Sequence, residues 1–287
     1  MSSWRQSDWQ PSEYELLDFG CGRKLERFGG QVLDRASPAA ENAKQSSNCD
    51  WSQADLRLDA KGQVIAGERP RTDWKCRFGG LVFNLKLTPF GHLGLFPEQA
   101  INWSWLTAVI QRVSAARQSS PRALNLFAYT GGSTMAMAAA GAEVVHVDAS
   151  APAIRWGRDN VASSGLHDRP IRWIVDDVRK FVGRELKRGN HYDLIVLDPP
   201  SYGHGSGGQR WNIQEHLTPL LEDCARLLND PPSALLLTAH SPSLLPSSIA
   251  EQIHILLPTH DTEHARLSLK TMADKSLDAG FYVRITC

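Results

Sequence analysis

Apolar residues fall into short blocks, each closed by glycine, proline or an acidic residue and followed by a longer stretch with helical spacing. Residues 124–127 (Leu-Asn-Leu-Phe) read as a buried strand. Thr130-Gly131-Gly132-Ser133 reads as a turn, and residues 135–140 hold strong helix formers. The cycle then repeats. Strands are predicted at 143–147, 171–175, 192–197 and 234–238, running into Asp148, Asp176-Asp177, Asp198 and Ala239-His240-Ser241. Helices are predicted at 152–163, opened by Pro152 and closed near Gly165, and at 178–187, 211–228 and 247–257. Two last strands follow at 264–269 and 280–285. Strand and helix in alternation predict an α/β fold with a doubly wound, mostly parallel sheet.

The first third of the chain has another rhythm. Residues 1–11 are polar with two tryptophans and read as a flexible leader. Residues 14–28 suggest a turn between short strands, and 35–50, with Pro38, Asn42, Ser46, Ser47 and Asn48, a surface loop. Alternation at 74–78 and 81–87 around Gly79-Gly80 is a hairpin signal. Residues 12–90 are therefore expected to form a small β-rich domain, either substrate-binding or only an extension. Residues 91–287 are expected to form the catalytic domain, entered through a helix over 99–116.

Composition narrows the class. Lysine and arginine total 31 and aspartate and glutamate 31, so the formal net charge is zero. That excludes binding of nucleic acid by bulk charge and leaves only local patches. Such patches are candidates at Arg23-Lys24-Arg27, at Arg69, Arg71, Lys75 and Arg77 near Trp51 and Trp74, and along Arg179, Lys180, Arg184, Lys187 and Arg188. Solvated charge balanced by nearby carboxylates is the competing account. Cys21, Cys49, Cys76, Cys224 and Cys287 are scattered, with no metal-ligand spacing and no disulfide frame. No run reaches membrane-spanning length and no signal peptide is evident, so a cytoplasmic home without membrane or metal is expected. Monomer and homodimer both stay open.

The chemistry concentrates at strand ends. A glycine turn between strand and helix lets a ligand approach the backbone, and the helix N-terminus behind it offers N–H donors. Asp148, at the tip of the second strand, is placed to accept from ribose hydroxyls. The dinucleotide fingerprint needs a third glycine that is missing after Gly131-Gly132, which disfavours NAD. Asp198-Pro199-Pro200-Ser201 is a strand end stiffened by two prolines, with Tyr202 next to it able to stack on a flat base.

Taken together, Asn-Leu-Phe-Ala-Tyr-Thr-Gly-Gly at 125–132, Val-Asp148, Asp176-Asp177-Val178 and Asp198-Pro-Pro-Ser resemble the successive motifs of class I S-adenosylmethionine-dependent methyltransferases. The nearest likeness is to the bacterial 23S rRNA cytosine-5 methyltransferase group and its uncharacterised relatives, over roughly residues 12–287. The resemblance implies a seven-stranded Rossmann-like sheet with its last strand antiparallel, and S-adenosyl-L-methionine as cofactor. It implies that Phe127, Ala128, Tyr129, Thr130, Gly131 and Gly132 face the methionine moiety. It places ribose at Asp148 with Ala149, and adenine at Asp177, or Asp176, with Val178. Phe96 and Gln99 lie in a segment that, by the same likeness, lies against the cofactor. RNA, ribosomal RNA first, is the implied partner, with a small molecule or a protein side chain as the other acceptor class and an idle binding module as a third reading.

One position departs from the group. Cytosine-5 chemistry needs a thiolate that adds to the ring, and those relatives carry a cysteine where this chain has His240. A base methylation without a cysteine adduct is expected, with Asp198, Pro199, Pro200, Tyr202 and His240 at the acceptor.

Overall fold

Short strands with alternating burial come first. β1 (Tyr14–Gly20), β2 (Arg23–Phe28), β3 (Gln31–Ala36), β4 (Leu56–Leu58) and β5 (Val64–Gly67) make one sheet in chain order. β3 and β4 pair in parallel and the other neighbours antiparallel. β6 (Lys75–Phe78) and β7 (Leu81–Asn84) form the hairpin predicted around Gly79-Gly80. Leu16, Leu25, Phe28, Leu33, Leu56 and Leu58 of these strands are buried. The computed structural model describes residues 9–68, 72–89, 91–204, 208 and 210–287; most of the expected leader and the cations Arg69 and Arg71 lie outside them. By contact the chain divides into Met1–Ile101 with Ser268–Ala279, and Asn102–Leu267 with Gly280–Cys287.

In the first unit Arg23, Arg27 and Arg35 meet carboxylates on neighbouring strands, Lys24 one on its own strand and Arg77 one just ahead of β1. Arg23 pairs with Asp34 at 2.5 Å, Arg35 and Lys24 with Glu26 at 2.7 and 3.2 Å, Arg27 with Glu15 at 3.5 Å, and Arg77 with Glu13 at 3.7 Å. Burial pushes the Glu26 carboxyl up, but Arg35 and Lys24 outweigh it and hold the group below the usual carboxylate range. Arg23, Lys24, Arg27 and Arg77 of the candidate basic patches are thus spent on internal pairing.

The second unit begins with α1 (Ala100–Arg117) and β8 (Arg122–Leu126), followed by α2 (Gly132–Ala139), β9 (Glu143–Asp148), α3 (Ala151–Ser163) and β10 (Ile171–Val175). α4 (Val178–Lys187) and β11 (Leu194–Leu197) come next. β12 (Tyr202–His204) and β13 (Arg210–Asn212) are a two-stranded insertion before α5 (Ile213–Leu227). β14 (Ala234–Ala239), α6 (Pro246–Leu256), β15 (Asp261–Lys270) and β16 (Ser276–Thr286) complete the chain. The seven-stranded order is β10-β9-β8-β11-β14-β16-β15, parallel from β10 to β14, with β16 antiparallel to β14. This is the sheet the sequence predicts. Local signals explain its helix starts: Ser150, Asp177 and Asn212 each accept a backbone N–H from the first turn of α3, α4 and α5, while Pro152 and Pro246 sit where a missing N–H costs nothing.

One helix boundary differs from expectation. Trp211 is not the first residue of the long helix but the middle of β13, because Asn212 supplies the cap one residue later. The turn between β15 and β16 is counted with the first unit, where Lys275 donates to Asp18 at 2.9 Å and to the Phe19 and Lys44 carbonyls.

Candidate active site

The sheet order reverses between β8 and β11, since β9 and β10 extend on one side and β14 on the other. Open α/β sheets bind ligands at the carboxyl ends beside such a switch point. Along that edge the strand ends present, in spatial order, Asp176-Asp177, Asp148, the 127–131 turn, Asp198 and His240. Asp148 and Asp198 stand two strands apart, about 10 Å at the usual spacing.

The turn after β8 is tightly wound. Phe127 (φ 56°) and Tyr129 (φ 48°) take left-handed conformations that cost on the order of 1–3 kcal/mol each for residues with a Cβ. Gly131 takes φ 84° freely and precedes α2. Neighbours hold this shape. Ala128 N–H donates to the Val147 carbonyl at 3.1 Å, and Asn160 of α3 donates to the Thr130 carbonyl at 3.0 Å. Beneath the turn, Asn125 donates to the Thr134 hydroxyl at 2.8 Å, and that hydroxyl lies 2.9 Å from His146 Nδ1. Burial drives His146 down to about 3, so it stays neutral and serves as a core hydrogen-bonding group. None of these three is a sequence candidate, because a lone histidine or threonine in a strand or helix carries no signal of its own.

Gly132 has a packing task beside the one its motif suggests. A Cβ there would lie 2.8 Å from Trp103 Cζ2 and 3.3 Å from its Nε1, so the bare backbone makes room for a buried indole of α1.

Asp148 receives the Tyr129 N–H on Oδ2 and the Ser150 N–H on Oδ1, both at 2.8 Å. Each oxygen keeps a further lone pair for a hydroxyl donor. Burial raises its carboxyl despite the Ser150 and Tyr129 bonds, leaving negative charge that a ligand's donors would stabilise. Val175 pairs in register with Asp148 and is 49% exposed, an apolar wall next to the proposed ribose position. These features suit a nucleoside. Of the adjacent pair, Asp177 caps α4 through Lys180 N–H at 3.1 Å and lies 3.6 Å from Arg179. Asp176 accepts the Asp177 N–H at 2.8 Å and pairs with Arg184. Arg188 pairs with Glu185 at 2.9 Å, so three cations of the candidate patch on α4 face carboxylates.

At the other end, Asp198 accepts the Thr238 hydroxyl at 2.5 Å. Burial raises its carboxyl, with His240 and Thr238 opposing. His240 is exposed at the end of β14. Gly280 of β16 (φ 92°) lies beside it, where a Cβ would approach His240 Nδ1 to 3.0 Å and collide with the Ala239 carbonyl. Pro199 is buried and Pro200 exposed. Tyr202 is 64% exposed on β12. Phe96 caps the Pro97–Gln99 turn and Gln99 closes it, both within the first unit.

Among the described residues of the second unit, no cysteine lies at the acceptor tips of this sheet. Cys224 is buried in α5, where burial pushes its thiol far up. Cys287 lies at the opposite edge, its N–H bonded to the carbonyl of Ser233 ahead of β14. No helix among the described residues is long and apolar enough to cross a membrane.

The profile of the S-adenosylmethionine-dependent methyltransferases matches residues 25–259. A solved S-adenosylmethionine-dependent methyltransferase from Agrobacterium tumefaciens is 32% identical, covers 96% of this chain and 90% of its own, and superposes with a TM-score of 0.88. Ribosomal RNA large subunit methyltransferase K/L of Shewanella baltica is 30% identical over 152 residues, 52% of this chain and 20% of that protein. Ribosomal RNA large subunit methyltransferase I of Photobacterium profundum is 25% identical over 234 residues, 79% of this chain and 56% of that protein. The chain thus spans about a fifth of the first relative's length and about half of the second's.

Proposed function

The chain belongs to the S-adenosylmethionine-dependent methyltransferase family, and from that premise we propose that it methylates a base in RNA, ribosomal RNA first, without a cysteine adduct. The cofactor, when bound, supplies an electrophilic methyl group on a cationic sulfonium. The residues of this chain have the complementary tasks of orienting two partners and matching the charge between them. Asp148, with Ala149 after it, accepts from the ribose hydroxyls. Asp177, or Asp176, with Val178, receives the adenine. The backbone from Phe127 to Gly132 lines the methionine moiety. Both Asp148 and Asp198 carry carboxyls raised by burial, and a nearby positive charge would stabilise their ionised forms.

The observation that carries the acceptor assignment is the Asp198–Thr238 hydrogen bond beside His240, one strand from the turn. Thr238 fixes the Asp198 carboxylate so that it accepts from an exocyclic N–H, while Pro199 and Pro200 limit the backbone. His240 takes a proton from the acceptor. Tyr202 offers an exposed ring for stacking. RNA as the acceptor is supported by the names of the two ribosomal RNA methyltransferase relatives.

A small molecule or protein side chain is the second reading. The internal pairing of Arg23, Lys24, Arg27, Arg77, Arg184 and Arg188 favours it, because it leaves less positive surface for phosphates. Mass spectrometry of nucleosides from a deletion strain separates the two. Loss of one methyl mark, restored by the wild-type gene and not by Asp198→Ala, is the expected result. An RNA profile unchanged by the deletion rejects RNA as substrate.

A further inference from the structure

Trp211 is the residue that touches both halves of the edge. Its Nε1–H donates to the Pro200 carbonyl at 2.6 Å, and its ring centroid lies 4.8 Å from that of Phe127, tilted by 59°. It is 5% exposed. Arg179, the residue near Asp177, lies over the indole at 6.0 Å and donates to the Arg210 carbonyl at 3.1 Å, next to Trp211 in the chain. The Ile213 N–H reaches the Ser201 carbonyl at 3.0 Å, a second tie between the 198–201 segment and the end of the β12–β13 insertion.

We propose that Trp211 is a positioning residue that sets the Asp198–Pro200 tip against the 127–131 turn, through its hydrogen bond to Pro200 and its packing on Phe127. The chemical logic is simple. Prolines 199 and 200 have no N–H and cannot be tied down by donating, so beyond Asp198, whose N–H reaches the Leu126 carbonyl at 3.4 Å, the backbone is fixed through its carbonyls. Trp211 takes the Pro200 carbonyl with a donor that has one direction and no rotatable hydrogen. The same rigid ring supports Phe127, which holds a left-handed backbone conformation and needs its side chain packed to stay there. One side chain therefore fixes where the donor turn and the acceptor tip stand relative to each other. This inference rests on the assignment of that turn and tip to cofactor and acceptor.

Two substitutions separate the two contacts. Trp211→Phe keeps a ring against Phe127 and loses the donor; Trp211→Ala loses both. Hydrogen exchange of residues 201–204, measured without ligand, is expected to quicken about three- to tenfold in Trp211→Phe, the loss of one hydrogen bond. The 194–197 strand should keep its wild-type protection. S-adenosylhomocysteine titrated calorimetrically is expected to bind Trp211→Phe within twofold of wild type and Trp211→Ala at least fivefold more weakly. A residue that merely stabilised the fold would weaken both variants alike and loosen 194–197 as well, and that outcome overturns the proposal. So does wild-type exchange at 201–204 in Trp211→Phe. Should Trp211→Ala fail to fold, Arg179→Met, which removes the cation over the ring, takes its place with the same expectation on exchange at smaller size. Failure of wild type to bind S-adenosylhomocysteine would instead count against the cofactor assignment, and the ligand-free exchange would still decide the positioning role.

Discussion

Alanine at Gly132, tested alone and with Trp103→Phe, asks whether this glycine serves packing or ligand. The added Cβ would stand 2.8 Å from Trp103 Cζ2, about 0.6 Å inside ordinary contact, against an indole that is 3% exposed and has little room to move. Overpacking of this kind costs about 1–3 kcal/mol. Alanine also gains up to about 1 kcal/mol of helix propensity at the start of α2, so the single variant gives a mixed number. The double-mutant cycle removes that ambiguity, because the propensity gain cancels. Phenylalanine at 103 lacks the fused ring that provides the clash, so Gly132→Ala should be less destabilising there by about 1–2 kcal/mol. Urea unfolding followed by circular dichroism gives the coupling energy, and calorimetry with S-adenosylhomocysteine reports on the site. A coupling below about 0.5 kcal/mol, together with a tenfold loss of affinity in Gly132→Ala at unchanged stability, would refute the packing argument and return this glycine to the ligand.

Three further outcomes are expected. Asp148→Asn should weaken S-adenosylhomocysteine binding about ten- to a hundredfold by calorimetry, the value of charge-assisted bonds to hydroxyls; binding within twofold of wild type would remove Asp148 from the site. His240→Gln should lower methyl incorporation into RNA from a deletion strain at least tenfold while leaving cofactor affinity unchanged, and full turnover would make the histidine structural. Asp18, fully buried, is pushed up by burial but brought down from 3.8 to about 2 by bonds from Lys275, Ser46 and Trp51. Because the folded state binds its proton more weakly than the unfolded, the stabilisation of about 2 kcal/mol is present above pH 4 and is lost as pH falls from about 4 to 2. Asp18→Asn should abolish that portion of the acid transition in a denaturation series, and an unaltered slope would contradict the assignment.

Much of the catalytic sheet is legible in the sequence because its signals are local. Pro152, the cap Asp177 and acidic residues at strand ends punctuate β9, α3, β10 and α4 within a residue or two. What stays hidden depends on partners far along the chain. Arg23 and Asp34 look like free surface charge until β2 and β3 pair, and Arg184 reads as a phosphate contact until it meets Asp176. Trp211 sits next to a long apolar pattern and takes on its helical reading, although Asn212 is the true cap. Gly132 belongs to a ligand-binding motif by position, and only the packing of Trp103 reveals its other use. Thr238 was within view at the end of its strand, but its bond to Asp198 joins two strands forty residues apart in sequence.

A crystal structure with S-adenosylhomocysteine tests the central claim most directly. The expected density has ribose hydroxyls on the Asp148 carboxylate, adenine beside Val175 and the Asp176-Asp177 pair, and sulfur facing the Asp198–Pro200 tip across the switch point. Ligand bound elsewhere, or with its sulfur turned away from β11, would contradict it.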